Sequence, residues 1–108
     1  MVGRQRGIQK IQLSNLQCYT KDIITHEMMH SVGVYHEHNR LDRDDHIEVH
    51  YDCIMDRHNK SFQIQLNSVS YGVPYDHYSI MHYGPTQASH SPSDCKTITS
   101  KVSFLKDI

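Results

Sequence analysis

Residues 26 to 36 read His-Glu-Met-Met-His-Ser-Val-Gly-Val-Tyr-His, the pattern HExxHxxGxxH without a mismatch. No other stretch constrains the fold as strongly, because each fixed position has a geometrical reason. Histidines four residues apart lie one helical turn apart on one face, so two imidazole nitrogens can converge on one ion at the roughly 2.0 to 2.1 Å that zinc demands. A third histidine on the same helix would point away. Gly33 can adopt the left-handed backbone that turns the chain and lets His36 swing back. Three protein ligands then leave the open position that a catalytic zinc keeps for water. Glu27 lies beside the ligands but too far round the helix to be a comfortable fourth, which suits it to hold that water and act as general base. Zinc lowers the pKa of bound water to about 7 and polarises a carbonyl, so the chemistry implied is amide hydrolysis. With the chain's own 10 His and 5 Gly in 108 residues and its three Glu, the five fixed positions would match by chance with a probability on the order of 10⁻⁴.

The flanking sequence predicts the elements that carry this pattern. From Thr20 to Val32 there is no Pro or Gly, Thr20 can cap the start of a helix, and Gly33 supplies a stop just past its end. At about 100° per residue, His26, His30 and Glu27 share one side, while Ile24, Met28 and Val32 cluster between about 160° and 240° on the other. By itself that helix also reads as a core helix with two solvated histidines. Ile8, Ile11 and Leu13 suggest a short strand before it, and Ile47, Val49 and Tyr51 alternate with polar residues as a second strand should. Residues 85 to 92 read as loop, and residues 97 to 104 fit no single element. The chain has no internal repeat, low-complexity tract or Gly/Ser linker, and so no domain boundary.

Composition excludes several function classes. Eleven Lys+Arg against twelve Asp+Glu give a formal charge of -1, so nothing points to nucleic acid or an anionic membrane as partner. No apolar run approaches the ~18 residues of a membrane span. The charged start, Val2-Gly3-Arg4-Gln5-Arg6, lacks the apolar run of a secretory signal peptide. Ten histidines would carry the charge from -1 to +9 if all were protonated, unless a metal holds some of them neutral. Cys18, Cys53 and Cys95 are too widely spaced for a cysteine-based zinc site, and an odd count leaves one thiol free, paired between chains or without its partner. Asn59-Lys60-Ser61 is an N-glycosylation sequon, relevant only to a secreted chain.

Beyond the eleven-residue pattern, the sequence resembles a known family. His36-Glu37-His38-Asn39-Arg40-Leu41-Asp42-Arg43-Asp44 continues the pattern as in the extended astacin signature HExxHxxGFxHExxRxDRD, departing only at Val34, where astacins usually have Phe. Ser79-Ile80-Met81-His82-Tyr83-Gly84 resembles the SxMHYG segment of the astacin Met-turn, and Val2-Gly3-Arg4, Gln9 and Leu13 through Cys18 resemble the stretch before the astacin helix. The likeness weakens after about Gln87.

The resemblance implies an α+β, zincin-like (metzincin) catalytic-domain fragment with a central zinc-binding helix and a Met-turn. Residues 1–108 would be a partial astacin-like peptidase domain, with the upper-domain sheet and C-terminal helix missing and little left of the edge strand that aligns substrate at or before Met1 to Arg4. It implies His26, His30 and His36 as ligands of one Zn2+ per chain, Glu27 as catalytic base, Met81 in the turn beneath the metal, and Tyr83 as an extra ligand that swings away to stabilise the oxyanion. On residue type alone Tyr83, one of seven tyrosines, reads first as a core residue, although a phenol can both reach a metal and donate a hydrogen bond. Glu37 resembles the residue that meets the new N-terminus of mature astacins; it could equally pair with Arg40 or Arg43. Cys18 would pair with a cysteine upstream of Met1, while Cys53 and Cys95 match no family cysteine and could pair with each other or stay free. His38, His46, His50, His58, His77, His82 and His90 have no ligand spacing and are expected to be solvated or hydrogen-bonded. The function implied is a secreted zinc endopeptidase acting on protein or peptide substrates; the alternatives are a zinc-binding but inactive fragment and a His-rich metal-binding module.

Overall fold

Helix α1, Lys21–Ser31, starts where the Thr20 hydroxyl accepts a hydrogen bond from the Ile23 amide, as expected of a threonine cap. It stops at Val32 because Gly33 takes φ +107°, a conformation costly for any residue with a Cβ, and the Val34 amide reaches back to the Met29 carbonyl. The computed structural model describes residues 2–13 and 20–105, which form two compact units, Met1–Tyr35 and His36–Ile108. Cys18 and its expected pairing lie outside the described residues.

In the first unit the strand expected around Ile8, Ile11 and Leu13 does not form. A strand needs a neighbour for its amides and carbonyls, and the sheet among the described residues pairs only two strands of the second unit. Residues 2–13 instead follow bends, with Gly3 and Gly7 at positive φ; the Gly3 amide donates to the His30 carbonyl at 2.8 Å and the Gln9 side chain donates to the Gly3 carbonyl at 3.0 Å. No residue of α1 is buried, and Met28 on its apolar stripe is 55% exposed.

The second unit carries β1, Ile47–Val49, paired antiparallel with β2, Ile98–Ser100, in the register Ile47↔Ser100, Glu48↔Thr99 and Val49↔Ile98. The expected strand at 47–51 is thus shorter, since Tyr51 opens a 3-10 turn, and the unassigned stretch 97–104 supplies β2. Ile47 and Ile98 face a core completed by Ile54 and Phe62, with Val49, Tyr75, Tyr83 and Ala88 packed against it. So small a sheet leaves many backbone groups to be satisfied by other means. Buried Asn39 donates its amide to the Ser61 and Gln63 carbonyls at 2.9 and 2.8 Å, and buried Arg43 donates Nη1 to the His38 and Phe62 carbonyls at 3.0 and 2.7 Å. These bonds stitch 38–43 to the end of the 3-10 helix Asp56–Phe62. Of the two options open for Cys53 and Cys95, the pair is realised: they form a disulfide, Cα atoms 5.5 Å apart, across a sequence separation of 42.

Closing a ring of that length removes chain entropy from the unfolded state amounting to about 4 kcal/mol in the loop-closure picture. Replacing both cysteines with serine is expected to lower the urea midpoint of the second unit by a corresponding amount, read by circular dichroism; an unchanged midpoint would show that the bridge adds nothing to stability.

Candidate metal centre

Helix α1 sets the first two histidines. Four residues apart on one helix, His26 and His30 stand with ring centroids 4.7 Å apart and planes at 90°. His30 Nδ1 donates to the Val34 carbonyl at 2.8 Å, a bond supplied by the chain reversal at Gly33. That hydrogen bond fixes the tautomer, so that Nε2 carries the ring's lone pair, as in histidines that bind metals. Glu27 lies between these two histidines in sequence and is half-buried.

In the second unit His36 is followed by a 3-10 turn, Glu37–Asn39, and its ring lies 4.9 Å from that of Tyr83. The Tyr83 ring in turn covers His38 at a centroid distance of 4.0 Å, and Phe62 meets it edge-on at 5.5 Å. Met81 is 2% exposed, inside a turn closed by the His82 amide on the Ser79 carbonyl. The Glu37 amide donates to the Met81 carbonyl at 2.9 Å, so this turn is tied to the residue after His36.

One ligating atom from each of His26, His30 and His36 lies within 4.8 Å of the other two, and all three residues are half-buried. Nitrogens at about 2.0 to 2.1 Å around a tetrahedral ion stand roughly 3.3 Å from one another. Three imidazoles, one of them already oriented by a backbone carbonyl, are a donor set that suits zinc. Among the described residues no other group of three His, Cys, Asp or Glu meets this criterion.

A family profile described as Astacin, a family of peptidases, matches residues 1–108. The chain belongs to the astacin family. It is 42% identical over 84 residues to zinc metalloproteinase nas-14 of Caenorhabditis elegans, covering 76% of this chain and 17% of that protein. With zinc metalloproteinase nas-6 of the same organism the identity is 44% over 93 residues, covering 83% and 26% respectively. Among solved structures, high choriolytic enzyme 1, a hatching enzyme zinc-protease of Oryzias latipes, superposes with a TM-score of 0.71 at 32% identity, covering 75% of this chain and 40% of that one. This astacin-family chain therefore spans about a quarter or less of the two curated relatives. The α+β class read from the sequence agrees with the structural match.

The signature residues that follow His36 make a network of ion pairs and hydrogen bonds in the second unit. Of the two partners open to Glu37, Arg40 is the one used, at 3.0 Å; the Glu37 carboxylate also accepts the Asp76 amide at 2.9 Å. Arg40 bonds Asp42 through Nε and Nη2, both at 2.9 Å, and donates to the Val73 and Pro74 carbonyls at 3.0 and 3.3 Å. The hydrogen bond from Arg40 is the main cause holding the Asp42 carboxyl below the usual carboxylate range. Arg43 pairs with Asp44 instead.

Sequence reasoning gave no role to His38, Tyr75 or His82, and the structure groups all three around Tyr83. His38 is fully buried, and desolvation pushes its pKa down to about 3, which keeps the ring neutral. His82 Nδ1 donates to the Tyr83 carbonyl and its Nε2 accepts from the Tyr75 hydroxyl, both at 2.6 Å; burial lowers the His82 pKa and raises that of Tyr75. A signal existed only in part: His82 and Tyr83 are adjacent in the Met-turn segment, but no spacing rule brings His38 there.

Arg40 holds two acids and two carbonyls with one planar fork, a geometry a lysine cannot reproduce. Arg40→Met is expected to cost about 2 to 4 kcal/mol in urea unfolding, with Arg40→Lys recovering only part of the loss. A full recovery by lysine would show that charge alone, and not the fork, holds residues 73 and 74.

Proposed function

We propose that this chain carries the catalytic centre of a secreted zinc-dependent endopeptidase that hydrolyses internal bonds of protein or peptide substrates, with one zinc ion held by His26, His30 and His36. The observation that carries this reading is the mutual approach of three imidazole nitrogens to within 4.8 Å in a chain of the astacin family. Residues 1–108 are read as part of an astacin-like peptidase domain, in keeping with the share of the relatives that they span. An extracellular setting is supported by the Cys53–Cys95 disulfide, which persists where the medium is oxidising, and by the similarity to a protein described as a hatching enzyme.

Bound at these imidazoles, zinc supplies Lewis acidity, acidifying a water molecule and polarising the scissile carbonyl. The Glu27 carboxylate takes the proton of the attacking water and returns it to the leaving amine nitrogen, so that a single group serves as base and then acid. As the carbonyl oxygen becomes an oxyanion, the Tyr83 hydroxyl donates a hydrogen bond to it; before substrate arrives, Tyr83 would help hold the ion as a further ligand. The contact of the Tyr83 ring with His36 supports both roles. Met81 acts by packing, its burial fixing the turn on which Tyr83 sits.

The test combines zinc stoichiometry with casein or gelatin hydrolysis. One zinc per chain is expected, with cleavage abolished by a chelator and restored by added zinc; chelator-insensitive cleavage would refute the reading. Zinc bound without any cleavage would favour a metal-binding role for this chain alone.

Glu27→Gln separates chemistry from metal binding. It is expected to keep the zinc content while hydrolysis drops by a factor of about 10² to 10⁴, the usual worth of a general base. Undiminished hydrolysis would remove Glu27 from the mechanism.

A further inference from the structure

The ring and both backbone polar groups of Tyr83 are each met by an imidazole. The His38 ring lies under the phenol at 4.0 Å, with planes inclined by 30°. His38 Nε2 donates to the Ser61 carbonyl at 3.0 Å, so its Nδ1 lone pair is left facing the Tyr83 amide at 3.4 Å. On the other side His82 Nδ1 donates to the Tyr83 carbonyl and His82 Nε2 accepts from Tyr75. Each imidazole thus has a single consistent tautomer, set by a carbonyl that can only accept: that of Ser61 for His38 and that of Tyr83 itself for His82, whose other nitrogen then accepts from the Tyr75 hydroxyl.

We propose that His38 and the Tyr75–His82 pair are positioning residues for Tyr83, together fixing where its hydroxyl rests and the path along which it moves. The inference rests on the reading of Tyr83 as metal ligand and oxyanion donor. A mobile ligand must return to the same place in every cycle, and a phenol on a turn without regular secondary structure has no ladder to hold it. The His38 ring supplies a flat, fully buried floor over which the phenol can slide without opening a cavity. The bonds to the Tyr83 amide and carbonyl anchor the backbone while the side chain moves. None of the three residues touches the reacting atoms; they act through Tyr83.

The test uses the whole chain loaded with Cu(II), which imidazole sites accept and which reports a coordinated phenolate through a ligand-to-metal charge-transfer band. The wild-type chain is expected to show such a band, and Tyr83→Phe to abolish it. In His38→Leu, which removes the floor, and in Tyr75→Phe, which removes one oxygen, copper stoichiometry is expected to stay at the wild-type value while the band loses at least half its intensity. His38→Leu leaves the Ser61 carbonyl bonded to Asn39, and should that variant fail to fold, Tyr75→Phe carries the test. A wild-type band that depends on Tyr83 but is altered by neither substitution overturns the positioning role alone. A wild-type band that is missing, or that survives Tyr83→Phe, sinks the ligand assignment and the positioning role with it.

Discussion

The second unit is held together by side chains that do the work of a sheet. With β1 and β2 contributing three residues each, the carbonyls of Ser61, Phe62 and Gln63 take their hydrogen bonds from side chains: His38, Asn39, Arg43 and the Tyr51 hydroxyl. A buried carbonyl left unpaired costs on the order of 1 to 3 kcal/mol, so these side chains are required wherever the chain takes this path. Because the same stretch of sequence follows directly on His36, the geometry behind the third histidine depends on a set of backbone-directed hydrogen bonds as much as on apolar packing.

That arrangement explains why the residues after the histidines are so polar. The Arg40 and Glu37 side chains are only 12% and 15% exposed, and Arg43 is buried. Each buried charge is matched by an opposite charge or a carbonyl, which is the condition under which burial is tolerated. The loop carrying Val73 and Pro74 leads into the turn of Met81, and Arg40 grips its carbonyls. Position is thus passed from the segment after His36 to the Tyr83 segment through a guanidinium and through the Glu37 amide on the Met81 carbonyl.

How much of this was legible in the sequence depended on whether the determinant was local. Helix α1, its Thr20 cap and the stop at Gly33 follow from propensities and capping chemistry within a dozen residues, and all three are found. The strand near Ile8 failed because alternation says a stretch can pair and says nothing about whether a partner exists. β2 went unassigned because its three residues become a strand only by pairing with β1, 49 residues or more away in sequence. The histidine trio was readable because the spacing itself encodes the geometry. The environment of Tyr83 was not, since His38 and Phe62 reach it, and Tyr75 reaches His82, through the tertiary fold.

The disulfide between residues 53 and 95 encloses Met81 and Tyr83 in a covalent loop. Among the exposed residues of that loop are Leu66, Tyr71 and Val73, at 79%, 89% and 61% exposure. A proteolytic nick there opens the backbone without releasing either fragment, because the two ends stay tethered through sulfur. A clipped molecule thereby keeps its segments together, and the turn bearing Tyr83 stays attached to β1, Ile47–Val49.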